Sequence, residues 1–341
     1  MDRIFRWLGY LLPRYHRRLP AQEGCIFKIP TELVDMILEH LQPESVIAFA
    51  LTCRQFFVKH FPKSAQLSAS AKARLLQWLE QDIPSLYFCH ACVCLHSWRL
   101  TVRKWGCKCV LPFRYDLTYT WARLVMNRHL YGPLHGLRAG DIEQANPRVR
   151  QAFGVTITDF WTAKIIHNNL YVHGTMVFSR GKERGNLQSL RAFIDRFRDS
   201  LVCRHLGHAM ISEICRDQES SRPFRPSSGA IQSCAFCFTD YQIRVTLTDP
   251  LRQLARKWSQ RKPMVGEDWS IEITRWHNLG ACRSPHDLEW DNLVSRSTWR
   301  ISGRREDLCG AGMVQRAWME DDLGHTPVIE TAVFSNSRHV V

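Results

Sequence analysis

Long apolar runs are absent from this chain: no stretch approaches the roughly 18 apolar residues that a membrane-crossing helix requires, so a soluble protein is expected. No secretory leader precedes the cysteines, which number thirteen, an odd count. An intracellular, reducing setting in cytoplasm or nucleus is therefore expected, with thiols free or metal-bound rather than paired in disulfides. Catalytic signatures are missing too. There is no G-x-S-x-G elbow, no Walker A loop and no G-x-G-x-x-G after a strand. Neither H-E-x-x-H nor an H-x-E paired with P-C-x-x-C occurs, so a catalytic zinc is not expected. An isolated Asp, His and Ser can be found in any chain of this size and define no triad. A non-enzymatic role follows as the expectation.

What is present is a chain of 341 residues, 45% hydrophobic, long enough to bury a sizeable core in roughly two to three domains. Lys plus Arg number 46 against 32 Asp plus Glu, a formal net charge of +14 that suits acidic partners such as nucleic acid, anionic lipid or acidic protein surfaces. In the opening MDRIFRWLGYLLPRYHRRLP, Ile4, Phe5, Leu8, Leu11 and Leu12 share one helical face, while Arg3, Arg6, Arg14, Arg17 and Arg18 supply positive charge. The pattern suits a membrane surface or a targeting peptide. It is poor in Ser, however, and an amphipathic face more often docks on its own protein. Residues 1–24 therefore read as a basic amphipathic segment with no membrane partner expected.

The clearest local pattern is KIPTELVDMILEHLQPESVIAFALTCRQFFVKHF, from Lys28 to Phe61. Pro30 suits the first turn of a helix, where its missing N–H costs nothing, and Glu32 and Asp35 place negative charge near the positive end of the dipole. Leu33, Ile37 and Leu41, with Val34 and Leu38 beside them, form one broad apolar stripe that Pro43 stops. Glu44 to Leu51 reads as a second short helix. Thr52 can cap a third, which carries Phe56 and Phe57 to Pro62. Three short helices this apolar cannot bury all of that surface among themselves, so part of it needs a partner.

The Ile-Pro-x-Glu-Leu opening, the apolar ladder and the Ala-Leu-Thr-Cys-Arg close resemble an F-box, with Ile29 in place of the usual leucine. The resemblance covers residues 25–62. It implies a docking module for the Skp adaptor of SCF-type ubiquitin ligases, assembled on a cullin scaffold, with a downstream region, 63–341, that holds an unknown protein substrate. Carried over position by position, it implies that Ile29, Pro30, Leu33, Ile37, Leu38, Leu41, Val46, Leu51, Cys53 and Phe56 face the adaptor. The alternative function is a zinc-stabilised nucleic-acid binder, motivated by the net charge and by the cysteine pairs below. Against it, the basic residues are dispersed and no aromatic and basic signature of an RRM-type module appears.

Downstream, FCHACVCLH spans Phe88 to His96. Cys89 and Cys92 have the C-x-x-C spacing that points two thiolates at one ion, and His96 with Cys107 or Cys109 lies close enough along the chain to complete a shell. Cys94 is a spare. A second cluster begins at CRHLGH, from Cys203 to His208, and continues at SCAFCFTDY, where Cys234 and Cys237 repeat the spacing. Two arrangements are open. Each pair closes its own site, the second using Cys203 with His205, His208 or Cys215, or both pairs meet around one ion. The expected ligands are Cys89, Cys92, His96, Cys107, Cys203, His205, Cys234 and Cys237, and the expected cofactor is structural zinc.

In DFWTAKIIHNNLYVHGTMVF, two β-prone runs are split by Asn168 and Asn169, a hairpin signal. Tyr241, Ile243, Val245 and Leu247 alternate with polar residues, as do Trp269, Ile271 and Ile273, which is the period of half-buried strands. SSRPFRPSSG, residues 220–229, reads as a linker. The predicted class is α+β, three N-terminal helices followed by a mixed region of helix and antiparallel sheet. The segments LYFCHACVCLHSW, LTYTWARLVMNRHLYGPLHGL, SCAFCFTDYQI and LGACRSPHDLEW are similar to the layout of a group of F-box-containing proteins from filamentous fungi, with Val-Cys-Arg-His-Leu at 202–206 where that group has Ile-Cys-Pro-His-Leu. Trp276, Trp290, Trp299 and Arg300 are the residues expected to expose a substrate surface, since Trp and Arg dominate interface hot spots.

Overall fold

The computed structural model describes residues 28–62, 67–99, 117–144, 147–152, 155–180, 202–206, 228–248, 268–294 and 311–324. The chain divides into two compact units, Met1–Cys109 and Val110–Val341.

In the first unit, α1 (Thr31–Glu39) begins after Pro30, whose extended backbone and absent N–H suit the position outside the first turn. Gln42, held extended by the proline after it, precedes α2 (Pro43–Leu51). Thr52 remains helical and closes α2, its Oγ1 donating to the Phe49 carbonyl at 2.7 Å. The cap of α3 (Arg54–His60) is therefore Cys53 and not the expected Thr52. Cys53 has the extended backbone that a cap requires, and its Sγ accepts from the Phe56 N–H at 3.5 Å. Helix α4 (Ala69–Asp82) is capped by Ser68, which accepts from the Ala71 N–H at 3.2 Å.

Strands β1 (Leu86–Cys89) and β2 (Cys94–Ser97) form an antiparallel hairpin. Ile47 of α2, Leu75, Leu76 and Leu79 of α4 and Phe88 of β1 share one buried cluster, so α4 and the hairpin complete the core under α2. Two polar contacts fix this arrangement. Arg74 Nε donates to Glu44 Oε1 at 2.9 Å, and buried Glu80 accepts the Phe88 N–H at 2.9 Å.

The second unit opens with α5 (Tyr119–Tyr131), capped by Thr118, which accepts from the Trp121 N–H. The helix ends at Gly132, whose φ of 105° lies in a region that favours glycine. Six strands follow: β3 (Arg148–Ala152), β4 (Val155–Ile166), β5 (Asn169–Arg180), β6 (Gln232–Ser233), β7 (Thr239–Thr248) and β8 (Asp268–Asn278). A 3-10 turn at Ala139–Asp141 and two more helices, α6 (Leu288–Val294) and α7 (Met313–Gly324), complete the described elements.

The strands form one antiparallel sheet in the order β3-β4-β5-β8-β7-β6, two meanders joined where β5 pairs with β8. The β4–β5 turn falls at His167 and Asn168, both at positive φ, one residue earlier than the Asn168–Asn169 pair suggests. Alternation along β4 sends Val155, Ile157, Trp161 and Ala163 to the face that packs with Ala122 and Val125 of α5 and Trp290 of α6. On the opposite face, Ile166, Tyr171 and Trp276 pack with Val314 and Trp318 of α7. The architecture is α+β, as the order of periodicities predicts.

Candidate functional site

Helix α1 does not bury its apolar stripe. Val34 is 5% exposed and faces the core, whereas Leu33, Met36, Ile37 and Leu41 are 49%, 57%, 52% and 39% exposed. Their spacing puts them along one side of the helix and the turn after it. Ile29 and Pro30 extend the exposed surface at its start. An apolar ridge of this kind is unusual, since exposed apolar residues are normally scattered and contiguous ones are characteristic of association surfaces.

Among the described residues, two Cys/His groups can hold a metal ion. In the first, ligand atoms of Cys89, Cys92 and His96 all lie within 4.8 Å of one another. The β1–β2 turn creates it: Val93 adopts φ 50° and donates its N–H to the Cys89 carbonyl at 2.9 Å, folding Cys92 back toward Cys89. Cys89 is buried and Cys92 exposed. Burial holds the His96 pKa below its ordinary value, which favours the neutral, ligating form, and His96 Nε2 is buried without a hydrogen-bond partner among the described residues. Cys94 is the register partner of Cys89, and its Sγ donates to the Cys92 carbonyl. Cys107 and Cys109 lie outside the described residues.

The second group contains four residues, Cys203, His205, Cys234 and Cys237, with ligand atoms again within 4.8 Å of one another. The C-x-x-C here is the connection between β6 and β7, closed by the Cys234 N–H on the Thr239 carbonyl at 2.9 Å. Residues 202–206 bring Cys203 and His205 against it, and all three cysteines are buried. Hydrogen bonds from Cys203 and Cys237 draw the Cys234 thiol far below its ordinary value. Cys203, hydrogen-bonded to Cys234, is pushed up to about 12, and Cys237, hydrogen-bonded to Cys203 and Cys234, is also raised. Each C-x-x-C thus gathers donors within its own unit. His208 and Cys215 lie outside the described residues.

A family model for the F-box domain matches residues 26–57. The chain contains an F-box domain. No curated protein and no solved structure matches the chain. The match covers α1, α2 and the start of α3, so the exposed ridge belongs to the F-box. Of the residues that the resemblance assigns to its partner face, Ile29, Pro30, Leu33, Ile37 and Leu41 are exposed, and Leu38, Val46, Leu51 and Cys53 are half-buried. Phe56 is buried, its ring centroid 4.3 Å from that of Phe49, and serves the F-box's own core.

Sequence reasoning missed Met36, which its spacing from Leu33 places on the same ridge. The expected hot-spot tryptophans are corrected: Trp276 and Trp290 are 3% and 0% exposed, because each packs into one of the two sheet-face cores. Trp299 and Arg300 lie outside the described residues, as do residues 1–24. No helix among the described residues is long and apolar enough to cross a membrane.

Proposed function

We propose that this chain is a substrate-recognition adaptor of an SCF-type ubiquitin ligase, docking on the Skp adaptor through its F-box and joined through it to the cullin scaffold. The observation that carries the reading is the solvent-facing ridge of Leu33, Met36, Ile37 and Leu41 on a helix in which Val34 is buried and Leu38 half-buried. Association buries such a ridge and gains about 25 cal/mol for each Å² of apolar surface removed from water. The second unit presents a surface to a protein substrate. The chain contributes no catalytic group, and ligation belongs to other subunits. The two Cys/His groups serve this role as structural zinc sites: thiolate and imidazole donors suit zinc, and such sites stiffen loops that carry recognition.

The test is capture of the purified full chain on immobilised Skp adaptor, comparing the parent with Leu33→Asp and Ile37→Asp. The parent binds and each variant loses at least tenfold in affinity. Absence of binding by the parent, or equal binding by all three, refutes the docking. Parent binding to mixed DNA or RNA that falls steeply with salt would support the nucleic-acid reading instead.

A further inference from the structure

We propose that Cys203, His205, Cys234 and Cys237 form one closed zinc site whose ion ties residues 202–206 to the β6–β7 hairpin, with His205 ligating through Nδ1. This deepens the zinc reading above and rests on it.

Four donors from the chain itself fill a tetrahedral shell, the arrangement of a structural site, and leave no position for water or substrate. His205 Nδ1 is buried and has no hydrogen-bond partner among the described residues. A buried ring nitrogen left in that condition is costly, and coordination satisfies it.

The surroundings are those of a thiolate site. The Phe236 N–H points to Cys234 Sγ at 3.4 Å, and Thr239 Oγ1 lies 3.2 Å from Cys237 Sγ. Thr239 Oγ1 is also 2.9 Å from His277 Nδ1, and both residues are fully buried. With zinc bound, Cys237 is a thiolate and can only accept, so the single Thr239 hydroxyl proton goes to Sγ. Thr239 Oγ1 then accepts from His277, which fixes the His277 proton on Nδ1. Three thiolates around one divalent cation carry an excess negative charge, and these donors disperse it as outer partners do at metal sites. Thr239 lies two residues past the C-x-x-C, and His277 belongs to no sequence motif. The register does the work, since Thr239 and His277 are Cα partners in β7 and β8.

The site also has a mechanical purpose. Strand β6 is two residues long and makes two register pairs with β7. That hairpin in turn holds the start of α7: the Gly312 N–H donates to Ser233 Oγ at 3.2 Å and the Gln315 N–H to Asp240 Oδ2 at 3.0 Å. So short a strand supplies little of its own stability, and an ion at its turn secures both the sheet edge and the helix docked on it.

The test measures zinc per chain in the full-length parent and in Cys234→Ser, His205→Ala and His205→Cys. One zinc is lost in Cys234→Ser and His205→Ala and kept in His205→Cys, which restores a donor. A parent without zinc overturns the zinc reading as a whole. Zinc in the parent that persists undiminished in both Cys234→Ser and His205→Ala overturns this assignment alone. If those variants do not fold, Thr239→Val decides the matter by competition with a chelator. It removes only the hydroxyl and should weaken zinc binding about 10- to 100-fold, and unchanged affinity counts against the site.

Discussion

Arg275 and Asp159 form an ion pair inside the second unit, Nη2 to Oδ1 at 3.2 Å, and the arginine side chain is 0% exposed. The two residues lie on β8 and β4, on either side of β5. In register, Arg275 faces Gly174, which faces Trp161, so the strand between them adds no side chain to that row. The guanidinium reaches Asp159 diagonally, on the face that carries the main core.

Removing one partner leaves the other charge buried without its counter-ion. Asp159→Ala is therefore expected to cost roughly 3–5 kcal/mol, whereas the double change Asp159→Leu with Arg275→Met recovers most of the loss. Urea unfolding followed by tryptophan fluorescence measures both. A single-variant loss within ±0.5 kcal/mol, typical of surface changes, would contradict the pairing.

A second charge contact contributes to the acid behaviour of the first unit. The hydrogen bond from Arg74 holds Glu44 below its ordinary value of 4.5. A depressed folded value means that the contribution is complete above the unfolded value and disappears as pH falls through the folded one. Stability therefore declines below pH 4.5, and Glu44→Gln flattens that decline. Thermal midpoints of parent and variant should converge at the lowest pH, and parallel curves through the acid range would speak against the assignment.

The F-box ridge predicts a separation of binding from folding. Ile37 and Leu33 point to solvent, so aspartate at either position should change stability by no more than about 0.5 kcal/mol while abolishing capture by the Skp adaptor. Val34 faces inward, and Val34→Asp should lose about 3 kcal/mol or more by burying a charge. Thermal unfolding beside the capture assay distinguishes the two classes. Equal destabilisation by Leu33→Asp and Val34→Asp would mean that the ridge is core.

The helices of the first unit were legible because their signals are local. Pro43 marks a boundary, and the Leu33 to Leu41 spacing marks a stripe. The stripe's destination was not legible, since periodicity identifies an apolar face but not what covers it. Strands β7 and β8 showed in the alternation of Tyr241 to Leu247 and of Trp269 to Ile273. The approach of His205 to Cys234 and Cys237 depends on how residues 202–206 meet a hairpin some thirty residues later, a long-range fact that spacing does not carry. Trp276 and Trp290 failed as surface candidates for a related reason. Tryptophan is common both at interfaces and in cores, and only tertiary packing separates the two.

The two Cys/His groups should release metal at different rates. Cys92 of the hairpin group is exposed, so a chelator can displace one thiolate without opening the unit. Cys203, Cys234 and Cys237 are all buried, and attack there requires the β6–β7 edge to loosen first. Metal release to a coloured chelator should accordingly show two phases. Cys92→Ser should remove the fast phase, and Cys234→Ser the slow one. The slow phase should also accelerate in urea well below the unfolding midpoint, because opening of the edge controls it, whereas the fast phase should not. Loss of the same phase in both variants would mean that the groups do not hold metal independently.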